Sequence, residues 1–228
     1  FLERLGRVGQ SEVRIVTRGS VLAVFGCTQA PAGLLDTVPV GLVLRSISLA
    51  PQEASQRGSR AGVPAGAVPT GAVSAGAVPA GAVSEDGLDV TVSGRALLDR
   101  IARMASDELL LDVPDTVVTA SWAGVLPPVT GWEAAGVVDA TSLATVAAEG
   151  IERVASVLPD NPGDALVRKV RAEVWGNEIA PGLPASVAFA AETMGFLRGE
   201  SHARLAKTLT WTMVSTSRGQ VLVRSLLG

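Results

Sequence analysis

Val13-Arg-Ile-Val-Thr-Arg18 and Val21-Leu-Ala-Val-Phe25 flank the pair Gly19-Ser20. Both runs are rich in β-branched residues, and a two-residue link containing Gly reverses a chain most simply as a hairpin. An antiparallel pair therefore opens the fold. Working outward, Val40–Leu49 reads as a third strand and Leu88–Val92 as a fourth. Ser93 then caps a helix in which Leu97, Leu98, Ile101, Met104 and Ala105 share one face, opposite Arg95, Asp99 and Arg103. One helix against one face of a small antiparallel sheet is the simplest arrangement of these parts.

Between the third and fourth strands runs a five-residue repeat: Gly66-Ala-Val-Pro-Thr, Gly71-Ala-Val-Ser-Ala, Gly76-Ala-Val-Pro-Ala and Gly81-Ala-Val-Ser-Glu. Its small side chains bury too little surface to offset the cost of ordering the backbone. Residues 51–87 are therefore predicted to be a flexible insertion within a first domain. Long surface insertions are tolerated because closure entropy rises only logarithmically with loop length.

Past Asp112–Val118 the chain enters three helical patterns. Asp139 caps the first, whose apolar positions include Leu143, Val146, Ala147, Ile151, Val154 and Leu158. Asn161-Pro162 supplies a cap and first turn for the second, with Leu166, Val170 and Val174 inward and Gly176 as its stop. Pro184 starts the third, where Val187, Ala190, Ala191, Met194 and Leu197 form a stripe ending near Gly199. Leu209, Trp211 and Met213 then alternate with Thr208, Thr210 and Thr212, and Ser217-Arg-Gly-Gln220 turns into Val221-Leu-Val-Arg224, a second hairpin. The predicted class is α+β: a small antiparallel sheet with one helix over residues 1–118, then a three-helix segment closed by a C-terminal β-hairpin over residues 119–228.

Composition narrows function more than it names one. The 228 residues hold one His (His202), one Cys (Cys27) and no Tyr, so multi-His metal sites and His-dependent triads have little to draw on. Net charge is −3, which offers no global attraction to nucleic acid or anionic membrane. No apolar run reaches the roughly 20 residues needed to span a bilayer, and Glu3, Arg4 and Arg7 interrupt the start. With a lone Cys, these features predict a soluble, cytoplasmic protein. His202 reads as an exposed loop residue and Cys27 as small apolar filler. The carboxylate pairs Glu149/Glu152 and Glu173/Glu178 read as solvated helix faces, so no catalytic residue, metal site or cofactor is assigned.

The densest motif is Trp122-Ala-Gly-Val-Leu-Pro-Pro-Val-Thr-Gly-Trp132, a WxGxxPPxxGW pattern. Trp122, Gly124, Pro127, Pro128, Gly131 and Trp132 make a stiff, aromatic-anchored loop without any acid, base or nucleophile. They are the candidate binding residues of a non-catalytic interaction protein, with a protein partner or a second copy as the occupant. Two alternatives stand beside that reading. Three helices followed by a hairpin is the order of a winged-helix nucleic-acid binder, although Pro184–Leu197 carries Glu192 and no Lys or Arg, leaving only Arg168, Lys169, Arg171 and Arg218 as a basic patch. A carboxylate- or Ser/Thr-dependent hydrolase or transferase is the other.

That loop, together with Val174-Trp175-Gly176, Gly182-Leu-Pro184, Gly195-Phe-Leu197, Trp211 and Arg218-Gly-Gln-Val-Leu-Val-Arg224, resembles an uncharacterised family of high-GC Gram-positive bacteria (actinobacteria). More loosely, the resemblance takes in the first hairpin and Pro39-Val-Gly-Leu-Val-Leu-Arg45. It implies a cytoplasmic location and a lineage, with no activity, cofactor or catalytic residue attached.

Overall fold

Among the described residues, seventeen elements follow one another along the chain. They are α1 (Leu2–Val8), β1 (Glu12–Arg18), β2 (Val21–Gln29), β3 (Gly41–Ser48), β4 (Val83–Ser84), β5 (Gly87–Ser93), α2 (Gly94–Arg103) and a 3-10 turn (Ser121–Gly124). There follow β6 (Glu133–Asp139), α3 (Ala140–Val157), α4 (Asp164–Gly176), β7 (Glu178–Ala180), β8 (Leu183–Pro184), α5 (Ala185–Thr193), β9 (His202–Lys207), β10 (Trp211–Ser215) and β11 (Gln220–Arg224). The computed structural model describes residues 1–31, 38–49, 83–84, 87–105, 111–208 and 210–224. Nearly all of the 51–87 insertion, and Leu209 of the expected C-terminal alternation, lie outside them. The protein is α+β, with helices and a large antiparallel sheet.

The residues group into two compact units. One comprises Phe1–Ser11, Phe25–Arg45 and Ala120–Gly228; the other comprises Glu12–Val24 and Ser46–Thr119. In the second unit, β1 pairs antiparallel with β5 from Glu12↔Ser93 to Val16↔Asp89, and β4 pairs with β5. The register sets Val13 opposite Val92 and Ile15 opposite Val90, all four buried, which is the cross-strand packing a half-buried sheet face needs. On the other face Arg14 donates through Nε and Nη2 to the two carboxylate oxygens of Asp89, each at 2.7 Å. This fork geometry fixes orientation as well as charge. Ser93 caps α2, its Oγ accepting from the Ala96 N–H at 3.4 Å. Leu97 is buried but Ile101 is exposed, so among the described residues the helix is covered only along its first turns.

In the first unit the strands run β3–β11–β10–β9–β6, all antiparallel. The sheet is therefore not the small one expected, and the C-terminal hairpin is two of five consecutive strands. Successive residues of a strand point to opposite faces, yet Leu42 and Val43 are both buried, as are Val221, Leu222 and Val223. Both faces of the sheet are covered here. The same fact corrects the expected alternation of Trp211 and Met213 against threonines: Thr212 is as buried as Trp211.

The three expected helices are present as α3, α4 and α5, but they are not consecutive. Strand β6 leads directly into α3, the β7–β8 pair separates α4 from α5, and β9 follows α5. This interleaving removes the winged-helix order. At the start of α4, Asn161 adopts φ 56° and Gly163 is the cap, displacing the Asn161-Pro162 pair from that role. Helix α5 ends at Thr193, earlier than Gly199, where the Gly195 and Phe196 N–H groups donate to Glu192 and Ala191 carbonyls at 2.8 Å. It is buried on nearly all sides rather than along one stripe, because it touches α3, α4 and β11 together.

Those helices meet around Trp175. Val170, Val174, Trp175 and Ala185 form a buried cluster, joined at its margin by Val146, Val154, Leu158, Ile179 and Phe189. The Trp175 and Phe189 ring centroids are 4.6 Å apart. Beneath the indole lies Gly150 of α3, where an added Cβ would land on Cζ3 and Cη2 of Trp175. Gly150 is thus a site of close helix approach.

Two measurements test this account. Gly150→Ala should lower stability by about 1–3 kcal/mol, although alanine is the better helix former, because overpacking a tight contact outweighs propensity. A urea titration reads the sign. Separately, a chain of residues 119–228 loses the β3 partner that pairs Gln220↔Leu44 through Val223↔Gly41. An opened edge beside buried side chains should make that fragment aggregate or unfold without cooperativity, whereas a self-sufficient domain dividing at 118/119 would remain a monomer with a sharp thermal transition.

Candidate functional site

The double-Trp segment begins with a single 3-10 turn, Ser121–Gly124, closed by the Ala123 N–H donating to the Ala120 carbonyl at 3.0 Å. Trp122 points inward at 3% exposure, so it anchors the loop from within. Among the described residues its Nε1 has no hydrogen-bond partner, an unusual condition for a buried indole. Pro127 and Trp132 are half-buried; Gly124, Pro128 and Gly131 are exposed. Trp132 is tied down by its own loop, its Nε1 donating to the Pro128 carbonyl at 2.8 Å. The pinned ring and the Pro-Pro pair hold the segment in one shape without help from outside.

The six residues singled out in the sequence therefore separate into an inner anchor and an outer rim. The rim continues into residues that the pattern did not include. Val129 is 64% exposed and, beyond Trp132, Val137 is 65% exposed; Val125 is also on the surface. Every residue of β6 except the half-buried Val138 is exposed. This strand pairs with β9 on one side and ends the strand order, so its other edge has no strand partner among the described residues. Between Ala134 and Gly136 the register shifts, and Gly136 takes φ 108°, a conformation a side chain resists. Exposed β-branched residues in Gly136-Val-Val138 were the available sequence signal, obscured by Ala134-Ala135 ahead of them.

Acidic groups stand at both ends of this edge. Glu133 opens β6, and Asp139 closes it while capping α3, accepting from the Ser142 N–H at 2.7 Å. That backbone hydrogen bond is the main cause holding the Asp139 carboxyl below its usual pKa, with the Ser142 hydroxyl and the facing His202 adding to it. The carboxylate is thus ionised under ordinary conditions.

The remaining candidates do not converge. His202 is exposed, as expected, but on a strand opposite Asp139 rather than in a loop. Cys27 is fully buried, its Sγ 3.2 Å from the Gln29 carbonyl oxygen. Glu149, Glu152 and Glu173 lie on exposed helix surface, and Glu178 Oε1 accepts from the Gly182 N–H at 3.2 Å. Among the described residues, no group of three or more His, Cys, Asp and Glu is placed to hold a metal ion, and no helix is long and apolar enough to cross a membrane.

These features define an α+β protein with an exposed sheet edge and an adjoining rigid apolar loop. Residues 127–228 match the family model described as "Domain of unknown function (DUF8185)". The match starts at Pro127, inside the double-Trp loop, and takes in every element from β6 to β11, including α3, α4 and α5. No curated protein matches the sequence. Two solved chains are similar, among them a DNA polymerase sliding clamp from Caulobacter crescentus at 10% identity and a TM-score of 0.43. That match covers 100% of this chain and 62% of the clamp chain, so the present chain spans less than two thirds of the clamp's length.

The Asp139 cap carries a pH signature. A carboxyl whose folded pKa is depressed stabilises the fold above its unfolded value, near 4, and loses that contribution as pH falls through the folded value. Asp139→Asn should therefore flatten the acid limb of stability below about pH 4 while leaving its neutral limb parallel to that of the parent protein. Urea midpoints collected across that range check the difference.

Proposed function

We propose that the protein is a non-catalytic, cytoplasmic interaction protein that docks an extended segment of a partner protein on the free edge of β6 and the neighbouring Val125–Trp132 loop. The observation that carries this reading is the coincidence of an unpaired strand edge with exposed valines at positions 129 and 137. An added strand takes its affinity from main-chain hydrogen bonds and its specificity from side-chain contacts beside the edge. Trp122 holds the loop from inside, while Val125, Pro128, Val129 and Trp132 form the contact rim. The match of residues 127–228 to a domain of unknown function is compatible with a role of this kind.

The chemistry of the edge favours a different chain over a second copy. Antiparallel self-pairing centred on Gly136 would set Glu133 opposite Asp139 twice, and like charges directly opposite one another destabilise a ladder. A partner segment with an apolar centre flanked by Lys or Arg is complementary to both ends. Cytoplasmic residence is supported by a single, buried cysteine in 228 residues.

A photo-crosslinking amino acid placed at position 137 of the full chain, in its host, tests the proposal. The expected adduct is a distinct polypeptide crosslinked through an extended, basic-flanked segment. Its yield should fall at least about tenfold with Val129→Asp combined with Glu133→Lys, with thermal stability unchanged because both residues are exposed. Adducts insensitive to those substitutions would overturn the reading, and adducts to the same chain would replace it with self-association.

A further inference from the structure

We infer that a cavity bounded by α4, the end of α1 and the end of β2 binds a small phosphorylated metabolite carrying free hydroxyl groups. It lies wholly within the first unit, away from the β6 edge in sequence and element, and has a volume of about 400 Å³. That size suits a small organic ligand, for which cavities of roughly 300–1,000 Å³ are usual.

One wall is basic. Arg168, Lys169 and Arg171 of α4 all line the cavity, and no Asp or Glu does among the described residues. Arg168 and Arg171 are three residues apart and so share a helix face. None of the three is ion-paired with a carboxylate among the described residues, where only Arg14 and Arg100 make such pairs. Arg171 is nevertheless held in place: its guanidinium carbon lies 5.6 Å from the centre of the Phe189 ring. Three cations gathered within one helical turn of a chain of net charge −3 repel one another unless an anion joins them. Arginine forks suit the planar spread of phosphate oxygens.

The opposite wall is polar and neutral, from Gln10, Thr28 and Gln29. The Thr28 hydroxyl donates to the Gly41 carbonyl at 3.3 Å, and Gln29 Nε2 donates to the Pro39 carbonyl at 3.3 Å. That leaves this wall the second N–H of Gln29, the Gln10 amide, the Thr28 oxygen lone pairs and Gln29 Oε1, donors and acceptors together. Hydroxyl groups both donate and accept, so an amide- and hydroxyl-lined wall facing a basic one reads a ligand that is anionic at one end and hydroxylated at the other, as a sugar phosphate is.

Isothermal titration of the full chain with ribose 5-phosphate, ribose, inorganic phosphate and a short DNA duplex tests this. Ribose 5-phosphate should bind, inorganic phosphate more weakly, and ribose not at all. Combined Arg168→Gln and Lys169→Gln substitutions, at exposed helix positions, should weaken binding at least about tenfold, while Arg218→Gln, outside the cavity, should leave it unchanged. An unchanged melting temperature without ligand would establish that the double variant folds. No binding of ribose 5-phosphate, equal loss with Arg218→Gln, or displacement by DNA at lower concentration would each overturn the assignment, the last in favour of a nucleic-acid surface.

Discussion

The helical part of the first unit depends on one contact: the six-membered ring of the Trp175 indole closing on the side-chain-free backbone of Gly150. A side chain at position 150 would occupy the same space as the indole, so α3 and α4 can close on each other only because residue 150 has none. With the indole seated, Phe189 of α5 packs on it at 4.6 Å, and Arg171 lies over Phe189 in turn. The order Gly150, Trp175, Phe189, Arg171 joins three helices through one column of contacts. Helix α5 is thereby pressed onto β11 and must be apolar nearly all round, which its sequence of Ala, Val and Phe provides.

Consequences of that column reach both surfaces discussed above. Helix α4 is oriented by Trp175 and Val174 turned inward, which leaves Arg168 and Lys169 outward and at the cavity margin. Helix α3 is oriented by Gly150, Ala147 and Leu143, all buried, and its cap is the last residue of β6. Asp139 thus belongs to two elements at once. It ends a strand and starts a helix, so the position of the exposed edge is set by the same packing that positions the helices. The exposed edge is therefore held in place by the core behind it.

How much of this could be read from the chain depended on which residues faced water. The first two strands were legible because β-branched runs flank Gly19-Ser20, and Ser93 and Asp139 announced their helices by cap chemistry that the structure bears out. Strand β6 was not legible: Glu-Ala-Ala-Gly-Val-Val-Asp has neither alternation nor a run of strand formers, and being exposed on both faces it has no reason to alternate. Strand β9, His-Ala-Arg-Leu-Ala-Lys, fails for a related reason, with only Ala203 buried. Missing those two strands made three helices and a hairpin look like a winged-helix order. The double-Trp loop was legible as a stiff object, but the division of labour between a buried Trp122 and a self-bonded Trp132 is a matter of three-dimensional placement.

From Asp139 onward the sequence carries nine acidic and nine basic residues, a balance that by itself suggests no electrostatic preference. The fold undoes the balance by sorting. Acidic groups are placed at the two ends of a strand edge, while Arg168, Lys169 and Arg171 gather around a cavity with no carboxylate among its described lining residues. Over distances of about 8–10 Å salt screens most surface charge, so each locality presents its own sign to whatever approaches it. One unit thus carries an acidic locality and a basic one, a difference that the net charge conceals. The Ser142 N–H that lowers the Asp139 pKa is the same one that caps the start of α3, so the end of the strand edge and the helix behind it share one hydrogen bond.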